Sequence, residues 1–218
     1  MERIELINPA NNLPLIESSN VLRDAEGNFF PSRNGIYYFV ESSGYTGNFG
    51  YQWKKFKRTQ IDKFNGLNLS KDRFFSVTNW DKEYLDGKNI LEVGCGAGRF
   101  TQIVLDYTKA NIYSIDYSEA VEANSENNGS NPRLKLFQAS IYDMPFADSC
   151  FDKIFCFGVL QHTPDIKKSI KCMYDKLKPG GELIIDFYPY KGFWTKMHAK
   201  YLFRSFLKGK NFAAGSFK

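Results

Sequence analysis

The spacing of apolar positions changes character along the chain in a way that separates strands from helices. Ile90, Leu91 and Val93 lie in a short apolar run, after which Phe100, Ile103, Val104 and Tyr107 recur at helical spacing. Apolar runs return at 111–116, 134–138, 151–157 and 183–187. Between the last two, Ile166, Ile170, Met173, Tyr174 and Leu177 outline one apolar face of a helix that Asp165 can N-cap, and Leu177-Lys178-Pro179-Gly180-Gly181 reads as its stop. Strands alternating with helices predict an α/β domain built on an open parallel sheet.

The first strand runs into Gly94-Cys95-Gly96-Ala97-Gly98. Glycines at alternating positions let a ligand approach the backbone where a Cβ would collide, and the helix that follows turns unpaired N–H groups towards it. A dinucleotide fingerprint needs its third glycine three residues after the second, and here it comes after two. Glu92, just before the turn, is also a poor neighbour for a pyrophosphate and a good one for a sulfonium cation. This stretch resembles the first motif of the class I S-adenosylmethionine-dependent methyltransferases, an acidic residue followed by G-x-G-x-G. The resemblance covers about residues 88 to 188. It implies a Rossmann-like class I sheet with helices on both faces, S-adenosyl-L-methionine as cofactor, and Glu92, Gly94, Gly96 and Gly98 among the cofactor-binding residues.

Asp116 closes the second strand, 18 residues beyond Gly98, where a carboxylate can accept both hydroxyls of a ribose lying across the strand ends. The resemblance gives Asp116 that role and places Tyr117 and Phe157 in the same cofactor set. Ser140 stands where the family usually has an aspartate for the adenine amino group; its hydroxyl can bond to the adenine while Ile141 packs on a ring face, or Asp143 can bend in instead. His162 leaves the fourth strand in Val159-Leu160-Gln161-His162-Thr163-Pro164-Asp165, similar to the family's valine-leucine pair followed by histidine. It reads two ways: as the general base for a hydroxyl acceptor, which its near-neutral reference pKa suits, or as a brace for the loop.

Ahead of this domain, residues 1 to 44 carry turn signals and a short hairpin through Phe29-Phe30-Pro31 and 35–40. They resemble a small ribbon that precedes some bacterial methyltransferases and normally holds zinc through cysteines. Here the first cysteine is Cys95, so aromatic packing is expected to hold the ribbon and no metal site is expected. Residues 45 to 87 form a helical segment expected to cover the cofactor. Within it Tyr45, Phe49-Gly50, Gln52-Trp53 and Gln60-Ile61-Asp62 resemble a stretch found in methyltransferases of bacterial surface-polysaccharide biosynthesis clusters. That resemblance implies that Tyr45, Gln52 and Trp53 line the methionine end of the cofactor; the alternative is that the aromatics only dock the helix.

Composition adds a local feature. The 43% hydrophobic and 17% aromatic content excludes a disordered chain, and with no 18-residue apolar run and no charged leader neither a spanning helix nor a secretion signal is expected; the four cysteines show no disulfide pattern, which fits the cytoplasm. From Phe187 onward there are seven basic residues and no acidic one; removing them takes the chain from 29 basic against 24 acidic to 22 against 24. A nucleic-acid footprint would spread over the domain, so none is expected. Trp194, Met197, Tyr201 and Phe206, with Lys196, Lys200 and Arg204, instead outline a basic amphipathic helix within 189–218. It can meet a membrane surface, take a phosphate-bearing substrate or pack over the site. The class normally adds an antiparallel strand pair after the fifth strand; residues 188–218 do not read as one, so missing C-terminal strands are expected, through truncation or natural shortening. The expected reaction is methyl transfer to a small or lipid-linked saccharide precursor. Alternatives are carbon methylation of a quinone precursor and a non-catalytic partner that keeps the fold.

Overall fold

Each apolar run of the α/β segment is a strand of one sheet in the computed structural model, which describes residues 4–40, 61–62, 66 and 68–186. These residues belong to one compact unit, Met1–Phe187. The strands are β1 (Ile16–Ser18), β2 (Val21–Arg23), β3 (Phe29–Arg33), β4 (Ile36–Tyr38), β5 (Asn89–Val93), β6 (Asn111–Asp116), β7 (Leu134–Gln138), β8 (Phe151–Cys156) and β9 (Leu177–Ile185). The helices are α1 (Leu69–Thr78), α2 (Arg99–Tyr107), α3 (Ala120–Asn128) and α4 (Ile166–Asp175). Among the described residues no helix is long and apolar enough to cross a membrane.

The sheet order is β1-β2-β3-β4-β7-β6-β5-β8-β9. The chain steps outward from β5 through β6 to β7, then returns to β8 and β9 on the other side, all in parallel register. The reversal at β5 opens a crevice at the carboxyl ends of the strands, where ligands of such sheets bind. β1 to β4 form an antiparallel meander, and β4 then pairs in parallel with β7, Ile36 opposite Leu136. The N-terminal segment therefore extends the sheet and covers the edge that β7 would otherwise expose.

Successive strand residues face opposite layers, which builds two cores. Leu91, Val93, Ile115, Phe137 and Ile154 pack on one face with Met173 of α4 and with Ile4 and Phe146. Ile90, Ile112, Leu136 and Phe155 pack on the other with Phe74 of α1, Ile103 and Val104 of α2 and Val121. Within the second core, Phe74 meets Trp80 and Phe155 edge-on at 5.8 and 5.2 Å between centroids.

Two details differ from the sequence reading. Tyr174 and Leu177 are not on the buried face of α4: Tyr174 is 65% exposed, and Leu177 already begins β9 by pairing with Phe151. The Pro-Gly-Gly stretch is taken up as an irregularity inside the strand, with Gly180 at φ +77° and a Cβ at Gly181 only 2.9 Å from the Asp152 carbonyl. The second concerns what holds the N-terminal ribbon. Phe30 stacks on Phe39 at 4.3 Å, and a polar knot is added to the aromatic packing: the Asp24 carboxylate accepts bonds from the side-chain amides of Asn8 (2.7 Å), Asn11 (3.0 Å) and Asn28 (2.8 Å), and from the N–H groups of Glu26 and Asn28.

Candidate active site

The glycine turn sits where β5 meets the switch of strand order, and its geometry separates three jobs. Gly94, Gly96 and Gly98 all have positive φ, at 78, 51 and 84°. A Cβ on Gly94 would lie 2.2 Å from the Val159 side chain, and one on Gly98 would lie 2.1 Å from Asn124 Oδ1. These two glycines thus admit protein neighbours, the loop after β8 and helix α3. Gly96 directs its N–H to Asp116 Oδ2 at 2.8 Å, tying the turn to the end of β6.

Beneath the turn lies a buried polar network. Glu92 is 2% exposed on the α2 side of the sheet, and its Oε2 accepts bonds from the hydroxyls of Thr101 on α2 and Ser114 on β6, the latter at 2.8 Å. Burial pushes the Glu92 carboxyl up to about 7, although the Thr101 and Ser114 bonds oppose the rise. Asn124 donates to Thr101 Oγ1 at 2.8 Å, Asn127 to the Ala97 carbonyl at 3.0 Å and Asn128 to the Gly98 carbonyl at 3.1 Å. Three asparagines on one face of α3 therefore clamp the turn and the start of α2. Sequence reasoning missed α3; its signal was the spacing of asparagines, poor helix formers that are tolerated in a helix when their amides are bonded.

Asp116 is half-buried at the end of β6. Besides the Gly96 N–H it accepts the Ser118 N–H at 2.8 Å and the Ser118 hydroxyl at 2.7 Å, both on Oδ1. Burial raises its carboxyl above the usual range against those three bonds. A carboxylate offers about four lone-pair positions, so one remains, on Oδ2. The two-hydroxyl ribose clamp expected from sequence then becomes one bond unless Ser118 turns away. Asp116→Ala is accordingly expected to weaken S-adenosylhomocysteine binding by about 1.5 to 3 kcal/mol, the scale of one charge-assisted bond. Calorimetric titration of a folded variant checks this, and affinity within about 0.5 kcal/mol of the parent would exclude the role.

The neighbouring strand ends gather the other expected residues. Asp116 pairs in register with Gln138, so Tyr117, 48% exposed, and Ser140 with half-buried Ile141 leave adjacent strands. Ser140 Oγ accepts the Tyr142 N–H at 3.0 Å, and Asp143 is exposed. Phe157 meets Phe100 edge-on at 5.2 Å, linking the β8 loop to α2. His162 is exposed in a 3-10 turn, Leu160–His162. Tyr45, Gln52, Trp53 and the basic segment 189–218 lie outside the described residues.

The structure adds residues with no sequence signal for their pairing. Asp186, just past β9, accepts the Gly158 N–H and Arg73 Nη2, each at 2.5 Å, so it braces the ends of β8 and β9 to α1. Asp62 accepts the Ser70 N–H at 2.9 Å and the Lys71 N–H at 3.1 Å, satisfying the open end of α1, while Arg99 at the start of α2 donates to Ser70 Oγ at 2.8 Å. A cavity of about 300 Å³ lined in part by Lys82, Asp106 and Lys109 opens at the other end of the sheet, before β6, and takes no part in this site. Burial also raises the Cys95 and Cys156 thiols well above their usual range, which disfavours thiolate chemistry beside the turn.

A parallel sheet with this strand order, a three-glycine turn at the switch and an acid closing the next strand together define a Rossmann-like α/β methyltransferase fold of class I. Residues 91–185 match the family of methyltransferase domains. A tRNA U34 carboxymethyltransferase of Campylobacter curvus is 33% identical over 104 residues, which are 47% of this chain and 35% of the relative. A ubiquinone biosynthesis O-methyltransferase of Coxiella burnetii is 30% identical over 132 residues, 57% of this chain and 55% of the relative. A Methanococcus maripaludis structure, provisionally assigned as an S-adenosyl-L-methionine-dependent methyltransferase, superposes with a TM-score of 0.54 at 16% identity over 78% of this chain and 79% of that one. The chain spans between about a third and about half of the length of these two curated relatives. The matched region is a methyltransferase domain, and S-adenosylmethionine is its cofactor.

Proposed function

We propose that the whole protein transfers a methyl group from S-adenosylmethionine to an oxygen or nitrogen of a small or lipid-linked saccharide precursor. The donor half of this reading rests on the switch-point turn, with Gly96 and Asp116 joined by a 2.8 Å bond at the crevice. The chemistry is an in-line displacement at the sulfonium methyl. The acceptor lone pair forms the new bond to carbon as the carbon–sulfur bond breaks, and S-adenosylhomocysteine leaves. This chain's residues would hold the donor over β5 to β7, keep water away from the sulfonium and, for a hydroxyl acceptor, take its proton at His162.

The saccharide half rests on the segment from Tyr45 to Asp62, which resembles methyltransferases of surface-polysaccharide clusters. Asp62, the last residue of that segment, caps α1 next to Arg99 of the glycine-turn helix, which supports a link between the segment and the site. A second reading, methylation of a phenolic quinone precursor, is favoured by the ubiquinone-pathway relative. Incubation with radiolabelled methyl donor and a panel of nucleotide-linked hexoses and catechols separates the two. Label in the hexose fraction is the expected result; label confined to catechols would replace the saccharide reading.

A further inference from the structure

We infer that Gln161 is a specificity-determining residue for the acceptor, selecting molecules that present neighbouring hydroxyl groups; this deepens the saccharide reading above and rests on it. Both polar atoms of the Gln161 side chain, Oε1 and Nε2, are excluded from solvent and bonded to nothing. Among the described residues it is the one side chain with two such atoms; the remaining case is Gln102 Oε1, whose companion Nε2 donates to Asp106 at 3.0 Å. A primary amide offers two N–H donors and two acceptor lone pairs, and burying it without partners is costly.

The turn that carries Gln161 is firmly built, so the unpaired amide is not a feature of a loose loop. Leu160 is fully buried, the His162 N–H donates to the Val159 carbonyl at 2.8 Å, and the Thr163 N–H and hydroxyl both donate to the Leu160 carbonyl, at 3.1 and 2.8 Å. Val159, two residues earlier, occupies the space a Cβ on Gly94 would need, which places this turn directly against the glycine loop of the cofactor. His162 follows in the same turn. Gln161 thus stands beside the glycine turn and next to His162, in the loop that leaves the carboxyl end of β8.

A neutral amide with one donor end and one acceptor end complements two adjacent hydroxyls, as in a hexose or a catechol. It has nothing to offer an apolar skeleton, which would leave both ends unpaired. Sites built around such groups reject acceptors lacking them far more strongly than apolar pockets reject an extra methylene.

Gln161→Met, similar in size and without the amide, tests this in the whole chain through unfolding of the unliganded protein, S-adenosylhomocysteine titration and steady-state transfer to a UDP-hexose, a free hexose and a catechol. The unfolding midpoint should rise by about 2 to 4 °C as the unpaired amide is removed. S-adenosylhomocysteine affinity should stay within about twofold, while KM for the hydroxylated acceptor rises about tenfold or more and kcat moves less than about threefold. A lower midpoint with weaker S-adenosylhomocysteine binding would show that the protein itself uses the amide and would overturn the inference, as would an unchanged KM. A parent protein that methylates the catechol and neither hexose would remove the saccharide reading alone, and KM for the catechol would then judge Gln161. If the parent takes none of the three, the direction of the midpoint shift decides.

Discussion

Replacing His162 with glutamine is expected to lower the rate of methyl transfer to a hydroxyl acceptor by roughly 10² to 10⁴-fold and to leave S-adenosylhomocysteine affinity nearly unchanged. The turn around His162 is held by the Val159 and Leu160 carbonyls and by the buried Leu160 side chain. Those bonds are made without the imidazole, and glutamine keeps hydrogen-bonding capacity while losing the ability to take a proton. The loss should fall on the transferring step, because the proton leaves as the new bond to carbon forms. Rapid-quench measurement of that step in both proteins checks this. A brace behaves differently: the unfolding midpoint would drop, and donor and acceptor would bind less tightly together. An amine acceptor, already nucleophilic when neutral, would shrink the effect on rate, so the same experiment reports on the class of methylated atom.

The second large effect concerns stability rather than rate. Glu92→Gln is expected to stabilise the unliganded protein by up to about 3 kcal/mol near pH ~8, the free energy equivalent of raising a carboxyl from its ordinary value to about 7. The sign follows from proton binding. Between the carboxyl's ordinary 4.5 and about 7 the folded protein holds a proton on Glu92 that the unfolded chain has released. Glu92 therefore contributes a loss of folded-state stability as pH rises through that window, and the loss is complete above about 7. Glutamine mimics the protonated acid, since its carbonyl can still accept from Thr101 and Ser114. Urea unfolding of both proteins across this range should give a difference that grows with pH and then levels off. A constant difference would mean that Glu92 stays ionised in the fold. With S-adenosylmethionine bound the gain should shrink if its positive charge lies close enough to Glu92 to favour the ionised acid, which the variant lacks.

Asp116 shows which parts of the site a residue pattern carries. Its position at the end of a strand was legible from an apolar run that stops on an acid. What it bonds to was not, because Ser118 and Gly96 reach it through backbone turns whose torsions no residue pattern records. The glycine turn divides in the same way. Three glycines announced a tight turn, but the occupants of the space at Gly94 and Gly98, Val159 and Asn124, come from segments 65 and 26 residues away.

By itself the sequence determined the strands between 89 and 185, the helices after the glycine turn and after Asp165, the glycine turn, the acid at 116 and the Asp165 cap, whose side chain accepts the Lys168 N–H. All of these are local: period, turn chemistry and capping act within a few residues, and the amino-acid pattern carries them directly. Only the tertiary structure decided that β4 joins β7, that α3 clamps the turn, that Asp62 and Asp186 tie α1 into the site, and that Gln161 is left with an unpaired amide. Short strands such as β1 and β2 have too few residues to show a period, and α3 has too few apolar residues to show a face. Their places are fixed by partners distant in sequence, and a buried polar group can be counted as satisfied or unsatisfied only once every possible partner has a position.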